Sequence, residues 1–164
     1  SAASLVDAVG VVDLLRYFPE ATDEEKLRDY IEQITDDVKY IPENGYKREL
    51  DYGIAKAATK LAVSRHVGRL ETVYGPFGAS HVQHGKDLIN VKHIIGTGGV
   101  LAHSEDPRQI LEMGTYDHEA PEVLAPLSPE LMVDSEYLLS SIGLLAELEP
   151  DKALQLAKKS LQYV

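Results

Sequence analysis

Three glycines within four positions, Gly96, Gly98 and Gly99, break an otherwise apolar run, Ile94-Ile95-Gly96-Thr97-Gly98-Gly99-Val100-Leu101. The order reads as a buried strand that ends in a tight turn and opens a helix. Residues without side chains at such a turn let backbone come close to a ligand or to a crossing helix. Backbone N–H groups beside a helix start also suit an anion or a nucleotide. The spacing is Gly-x-Gly-Gly. It is neither the Gly-x-Gly-x-x-Gly dinucleotide fingerprint nor a Walker loop with its Lys-Ser/Thr. A packing cluster of glycines accounts for the stretch as well as a ligand turn does, and the local sequence leaves both open. Lys86 and Asp87, just ahead of the same strand, have the charges to position a phosphate or a magnesium-bound water. An ordinary turn pair accounts for them equally.

Other candidate chemistry is weaker. Of the six histidines, His66, His81, His84, His93, His103 and His118, His81 and His84 stand close together. No carboxylate-rich metal spacing accompanies them, and a loop position makes them surface residues. Ser64-Arg65-His66 sits on a helix without a nucleophile elbow, so no hydrolase triad is supported. The acids between Glu20 and Asp37 lack a glycine-turned calcium loop and read as a solvated helical face. Asp51-Tyr52-Gly53-Ile54-Ala55-Lys56 faintly resembles the Asp-x-Gly-x-Thr/Ser phosphate loop of actin-like ATPases. Ala55 stands where the hydroxyl belongs, and Tyr46-Lys47-Arg48-Glu49 leads in where an apolar strand is needed, so a helix is expected. No residue is assigned to catalysis, and no set of ligands to a metal.

The elements that position these residues follow from periodicity. Leu5, Val9, Val12 and Leu15, with Val6 beside them, predict a helix ended by Pro19. Thr22-Asp23-Glu24-Glu25 reads as a capping box, with Thr22 accepting and Glu25 reaching back. It opens a helix to about Val38 with Leu27, Tyr30, Ile31 and Ile34 inward. Pro42-Glu43-Asn44-Gly45 is a turn. A long helix is expected from about Glu49 to Leu70, its Ala55, Ala57, Ala58 and Ala62 allowing a neighbour to approach. Thr72-Val73-Tyr74 reads as a short strand and Gly75-Pro76-Phe77-Gly78 as a loop. After the glycine turn come a short helix, another around Pro107 to Met113, and a proline-rich extended stretch from Glu119 to Pro129. Leu131-Met132-Val133 reads as a strand, Ser135 to Leu148 as a helix, and Pro150 opens a last helix ending near Tyr163. The sum is α/β, mostly helical, and fits half of an α/β domain better than a sandwich or a bundle.

Composition bounds the reading. A chain of 164 residues is most simply one domain with a real core. No apolar run is long enough to span a membrane, and the start lacks the pattern of a secretory signal. The absence of cysteine excludes disulfides, thiolate metal sites and a cysteine nucleophile, and fits the cytoplasm. A net charge of −11 argues against nucleic acid as a partner.

Several stretches taken in order carry a resemblance: Arg65-His66-Val67-Gly68, Gly85-Lys86-Asp87-Leu88, Ile95-Gly96-Thr97-Gly98-Gly99-Val100-Leu101, Val133-Asp134-Ser135-Glu136-Tyr137 and Gly143-Leu144-Leu145-Ala146. The chain from about Tyr52 onward resembles the C-terminal part of the glutamate mutase accessory protein family, called MutL or GlmL, which is unrelated to the mismatch-repair protein of similar name. Residues before that add only Leu5-Val6-Asp7-Ala8-Val9-Gly10. The family looks like the sugar kinase, heat-shock ATPase and actin superfamily, with its ribonuclease H-like lobes. The resemblance implies a role in ATP-driven maintenance or reactivation of adenosylcobalamin-dependent mutases, with ATP or ADP and magnesium in the intact protein. It implies that Gly96, Thr97, Gly98 and Gly99 form the turn that packs against adenosine. Asp134, by its type and place, reads as the cap of the helix from Ser135 and not as a ligand contact. Both phosphate loops of that superfamily are missing here. The expectation is therefore a single domain over residues 1–164 that is the distal half of a second lobe, with no ATPase activity or cofactor of its own, and that either self-associates or covers the edge left open with its N-terminal helix. Two other readings stand beside it. One is an interaction or regulatory domain whose glycines only pack; the other is a small-molecule enzyme using Lys86 and Asp87.

Overall fold

The computed structural model describes residues 2–37, 40–42 and 45–164. The chain divides into two compact units, Ser1–Lys60 and Leu61–Val164.

In the first unit, α1 (Ala2–Val9) and a short α2 (Val11–Leu14) replace the single helix expected up to Pro19. Gly10 separates them at φ +86°, a conformation open to glycine. The break shifts the helical phase by one residue. Val11 and Leu14 are therefore the buried positions, and Val12, assigned inward by spacing, is 66% exposed. Helix α3 (Glu24–Asp36) buries Leu27, Tyr30 and Ile31 as its periodicity demands. Its cap is one residue later than expected. Asp23 accepts from the Lys26 N–H at 2.9 Å, and Thr22 instead shares a hydrogen bond with the Tyr46 hydroxyl at 3.0 Å. Val38, where that helix was expected to end, and Glu43-Asn44 of the expected turn lie outside the described residues. Helix α4 (Gly45–His66) begins and ends about one turn earlier than its periodicity suggests, and its end from Leu61 counts with the second unit. Its small residues do allow close approach. Ala57 is buried, and a Cβ on Gly53 would lie 2.7 Å from the Phe18 ring and 2.8 Å from the Tyr17 carbonyl oxygen.

The second unit holds two small sheets. Strands β1 (Arg69–Gly75) and β2 (Gly78–His84) form an antiparallel hairpin turning through Pro76-Phe77. Strand β3 (His93–Gly96) leads to α5 (Gly99–Ala102) and α6 (Pro107–Glu112), and the chain returns as β4 (Glu130–Asp134), parallel to β3. Helices α7 (Leu139–Ala146) and α8 (Pro150–Ser160) follow, and β5 (Leu161–Tyr163) closes antiparallel on β4, giving the order β3-β4-β5. Leu111, Leu131 and Val133 form the buried cluster at the sheet, with Ile94, Leu101 and Val164 packed against it.

The mixed α/β character matches the sequence reading, and three local expectations are corrected. His81 and His84 lie on β2, not in a loop. Helix α7 starts at Leu139 rather than Ser135, because Asp134 draws the N–H groups of Leu138 and Leu139 back to itself. The last helix stops at Ser160, where the Ser135 N–H donates to the Ser160 carbonyl at 3.1 Å and β4 offers an edge to pair with. Among the described residues no helix is long and apolar enough to cross a membrane.

Candidate functional site

Strands β3 and β4 run side by side in the same direction, with Gly96 opposite Val133. Two turns therefore leave one edge of the sheet together: Thr97-Gly98 into α5, and residues 135–138 into α7. The edge beyond the carboxyl ends of adjacent parallel strands is where open α/β sheets hold ligands.

Asp134 organises this edge. It is fully enclosed, although it is the charged last residue of β4. Its carboxylate accepts from the Leu138 N–H at 3.1 Å, the Leu139 N–H at 2.9 Å and the Thr97 hydroxyl at 3.2 Å. Burial alone would raise its pKa. The hydrogen bonds from Leu139, Leu138, Thr97 and Ser160 outweigh that and hold the carboxyl below its ordinary value. Asp134 thus caps a helix, as the sequence suggests, but does so for α7 four residues further on, and ties the β3 turn to the β4 turn. Tyr137, at the crest of that second turn, adopts φ +54°, and its N–H donates to the Asp134 carbonyl at 3.1 Å.

The glycines divide by role. A Cβ on Gly96 would lie 2.7 Å from both a Leu101 and a Leu111 methyl, so this glycine packs the core. Gly98 sits at φ +114°, ψ 155°, a region that side-chain-bearing residues rarely enter. Nothing lies within 4 Å of a Cβ on Gly98 or on Gly99. The Cα side of both is left clear for an approaching group, while their carbonyls accept from the Ala102 and His103 N–H groups. Thr97 turns its hydroxyl to Asp134 and leaves only its main chain for a ligand. Leu101 anchors α5 in the core, whereas Val100 is 44% exposed.

Lys86 and Asp87 are not part of this edge. They precede β3, whereas the glycine turn leaves its far end. The Lys86 ammonium lies 3.4 Å from His66 Nε2, and Asp87 accepts from the Ile89 N–H at 3.0 Å in a local turn. His81 meets the Thr72 hydroxyl at 3.2 Å and His84 meets Glu71 at 3.1 Å across the hairpin. Asp51-Tyr52-Gly53 lies within α4, and burial pushes the Asp51 carboxyl up. Sequence reasoning missed Tyr137 and Ser160 as members of the site. Neither carries a local signal, since each is defined by where β4 and α8 end.

A family model described as MutL protein matches residues 1–161. Protein MutL of Clostridium tetanomorphum is 44% identical over 165 residues. That match covers 100% of this chain and 35% of the relative, so the chain spans about a third of the relative's length. No solved structure matches the chain.

Proposed function

The chain belongs to the MutL family, and from that premise we propose that it supplies the adenosine-side wall of a nucleotide site in an accessory protein for adenosylcobalamin-dependent mutases. In this reading it is the distal half of the second lobe of an actin-like ATPase. The intact protein uses ATP and magnesium to maintain or reactivate a mutase of the glutamate mutase or aminomutase type. One observation carries the reading. Gly98 and Gly99 present a clear Cα side at the carboxyl end of β3, beside β4. A flat, uncharged ring system suits such a surface, which offers close approach and main-chain polarity. The wall binds and orients; the Asp134 carboxylate and Thr97 hydroxyl hold it in shape.

The test is Gly99→Val in the full-length protein. Gly99 has room for a side chain, so the fold stays within about 1 kcal/mol of the parent. Nucleotide affinity should fall at least tenfold while the unfolding transition stays in place. Unchanged affinity would remove the ligand role. It would leave the second reading, an interaction domain that binds no nucleotide, which the packing role of Gly96 favours. The mutase link is tested separately: the full-length protein with ATP should restore turnover to an inactivated adenosylcobalamin-dependent mutase.

A further inference from the structure

Nothing in the fold itself asks for a tyrosine at position 137. Its backbone sits at φ +54°, in the left-handed region that favours glycine. A bulky residue there is a true outlier and strains the chain. The conformation is imposed by Asp134. The Tyr137 N–H donates to the Asp134 carbonyl at 3.1 Å, and the Leu138 and Leu139 N–H groups donate to the Asp134 carboxylate at 3.1 and 2.9 Å. Burial does not account for the ring either, because Tyr137 is 57% exposed. Among the described residues its side chain has no hydrogen bond and no ring contact. Strained residues that the surrounding structure holds in place gather at ligand clamps.

Asp134 also joins this residue to the glycine turn. It is one hydrogen bond from Thr97, at 3.2 Å, and one from Tyr137. An exposed tyrosine and the clear Cα side of Gly98 and Gly99 therefore stand at the same sheet edge, on turns tied to a single residue. We propose that Tyr137 completes the base site, so that the flat ring of the nucleotide lies between the Gly98–Gly99 backbone and the Tyr137 side chain. The role rests on the adenosine-wall reading of the glycine turn. The two walls do different things. The glycines allow close approach on one face. The tyrosine stacks on the other, with only two side-chain torsions to fix on binding. Stacking needs a π face, so the ligand end recognised here is an aromatic ring, and a larger ring gives more overlap. Glu136, exposed beside Tyr137, repels phosphates and leaves the ring end of the ligand for this edge.

The test is ADP binding to the full-length protein by calorimetry, with UDP as the smaller-ring control. Tyr137→Leu keeps bulk and loses the aromatic ring. It should weaken ADP binding roughly tenfold and narrow the preference for ADP over UDP, since the larger base loses more stacking. Tyr137→Phe should restore most of that loss, because the ring and not the hydroxyl makes the contact. Tyr137→Gly relieves the strained backbone, so its unfolding transition should hold or rise while ADP binding falls as far as in Tyr137→Leu. Gly99→Val, measured alongside, separates the base clamp from the wall it rests on. Weaker binding in Gly99→Val with none in Tyr137→Leu keeps the wall and strikes Tyr137 from the site. Unchanged binding in both removes wall and clamp together. A loss equal for ADP and UDP, with Tyr137→Phe no better than Tyr137→Leu, shows a packing role and overturns the proposal. Unchanged ADP affinity in Tyr137→Leu with failure to restore the mutase assigns the ring to a partner protein and also overturns it.

Discussion

Replacing Asp134 should loosen the sheet edge by an amount that can be worked out from its partners. The carboxylate accepts two backbone N–H groups at 3.1 and 2.9 Å and the Thr97 hydroxyl at 3.2 Å. Hydrogen bonds to an ionised group contribute about 1.5–3 kcal/mol each, and they do not add fully when they share one acceptor. Asp134→Ala should therefore cost about 3–4 kcal/mol, a fall in Tm of roughly 10 °C for a chain of this size. Asp134→Asn retains one acceptor oxygen and should cost about half as much. The sign of the pH dependence follows from the depressed carboxyl. Its stabilisation is fully present above the ordinary value of 3.8 and is lost as pH falls from there through the lower folded value. Thermal and urea unfolding near neutral pH and in acid should show the parent and Asp134→Asn converging below that point. A loss under about 1 kcal/mol for Asp134→Ala, or a gap that does not change with acid, would refute the assignment of Asp134 as the tie between the two turns.

Gly96→Ala and Gly98→Ala should both destabilise, for different reasons. The first crowds two leucine methyls and should cost about 1–3 kcal/mol, relieved by trimming Leu101 to Val. The second meets no atom but strains the backbone by about 1–3 kcal/mol, and Asn should not rescue it, because ψ 155° lies outside the left-handed helical region; equilibrium unfolding of the four variants checks both. The chain alone should show no ATP turnover, since it carries no Asp-x-Gly phosphate loop. Magnesium-dependent hydrolysis that disappears in Lys86→Ala would support the enzyme reading instead.

What was legible in the sequence was what local pattern encodes. The apolar run before Gly96, the periodicity of Leu27, Tyr30 and Ile31, and Pro107 and Pro150 at helix starts each appear at or near the expected place. The misses share a cause: the deciding partner lies far along the chain. Strand β2 has little β-branched content and exists because β1 pairs with it. Strand β5 takes over the last turn of a good helical pattern because β4 offers an open edge and Ser160 meets Ser135. The glycine cluster read as one feature, yet Gly96 packs under Leu111 while Gly98 and Gly99 stay clear. No local spacing distinguishes those roles, because Leu111 comes from another helix.

The same geometry sets which end of a nucleotide this edge can take. The first N–H groups of α7 would form the natural seat for a phosphate. Asp134 already fills that seat from within, ionised and enclosed, and would repel a second anion. A nucleotide lying over Gly98 and Gly99 must therefore turn its ring and sugar toward this chain and its phosphates away from α7. Measured on the chain alone, affinity should be weak and nearly equal for adenosine, ADP and ATP. An affinity that climbs with each added phosphate would mean that the chain holds the phosphates itself. The turn after β3 would then have to be reassigned from an adenosine wall to an anion site.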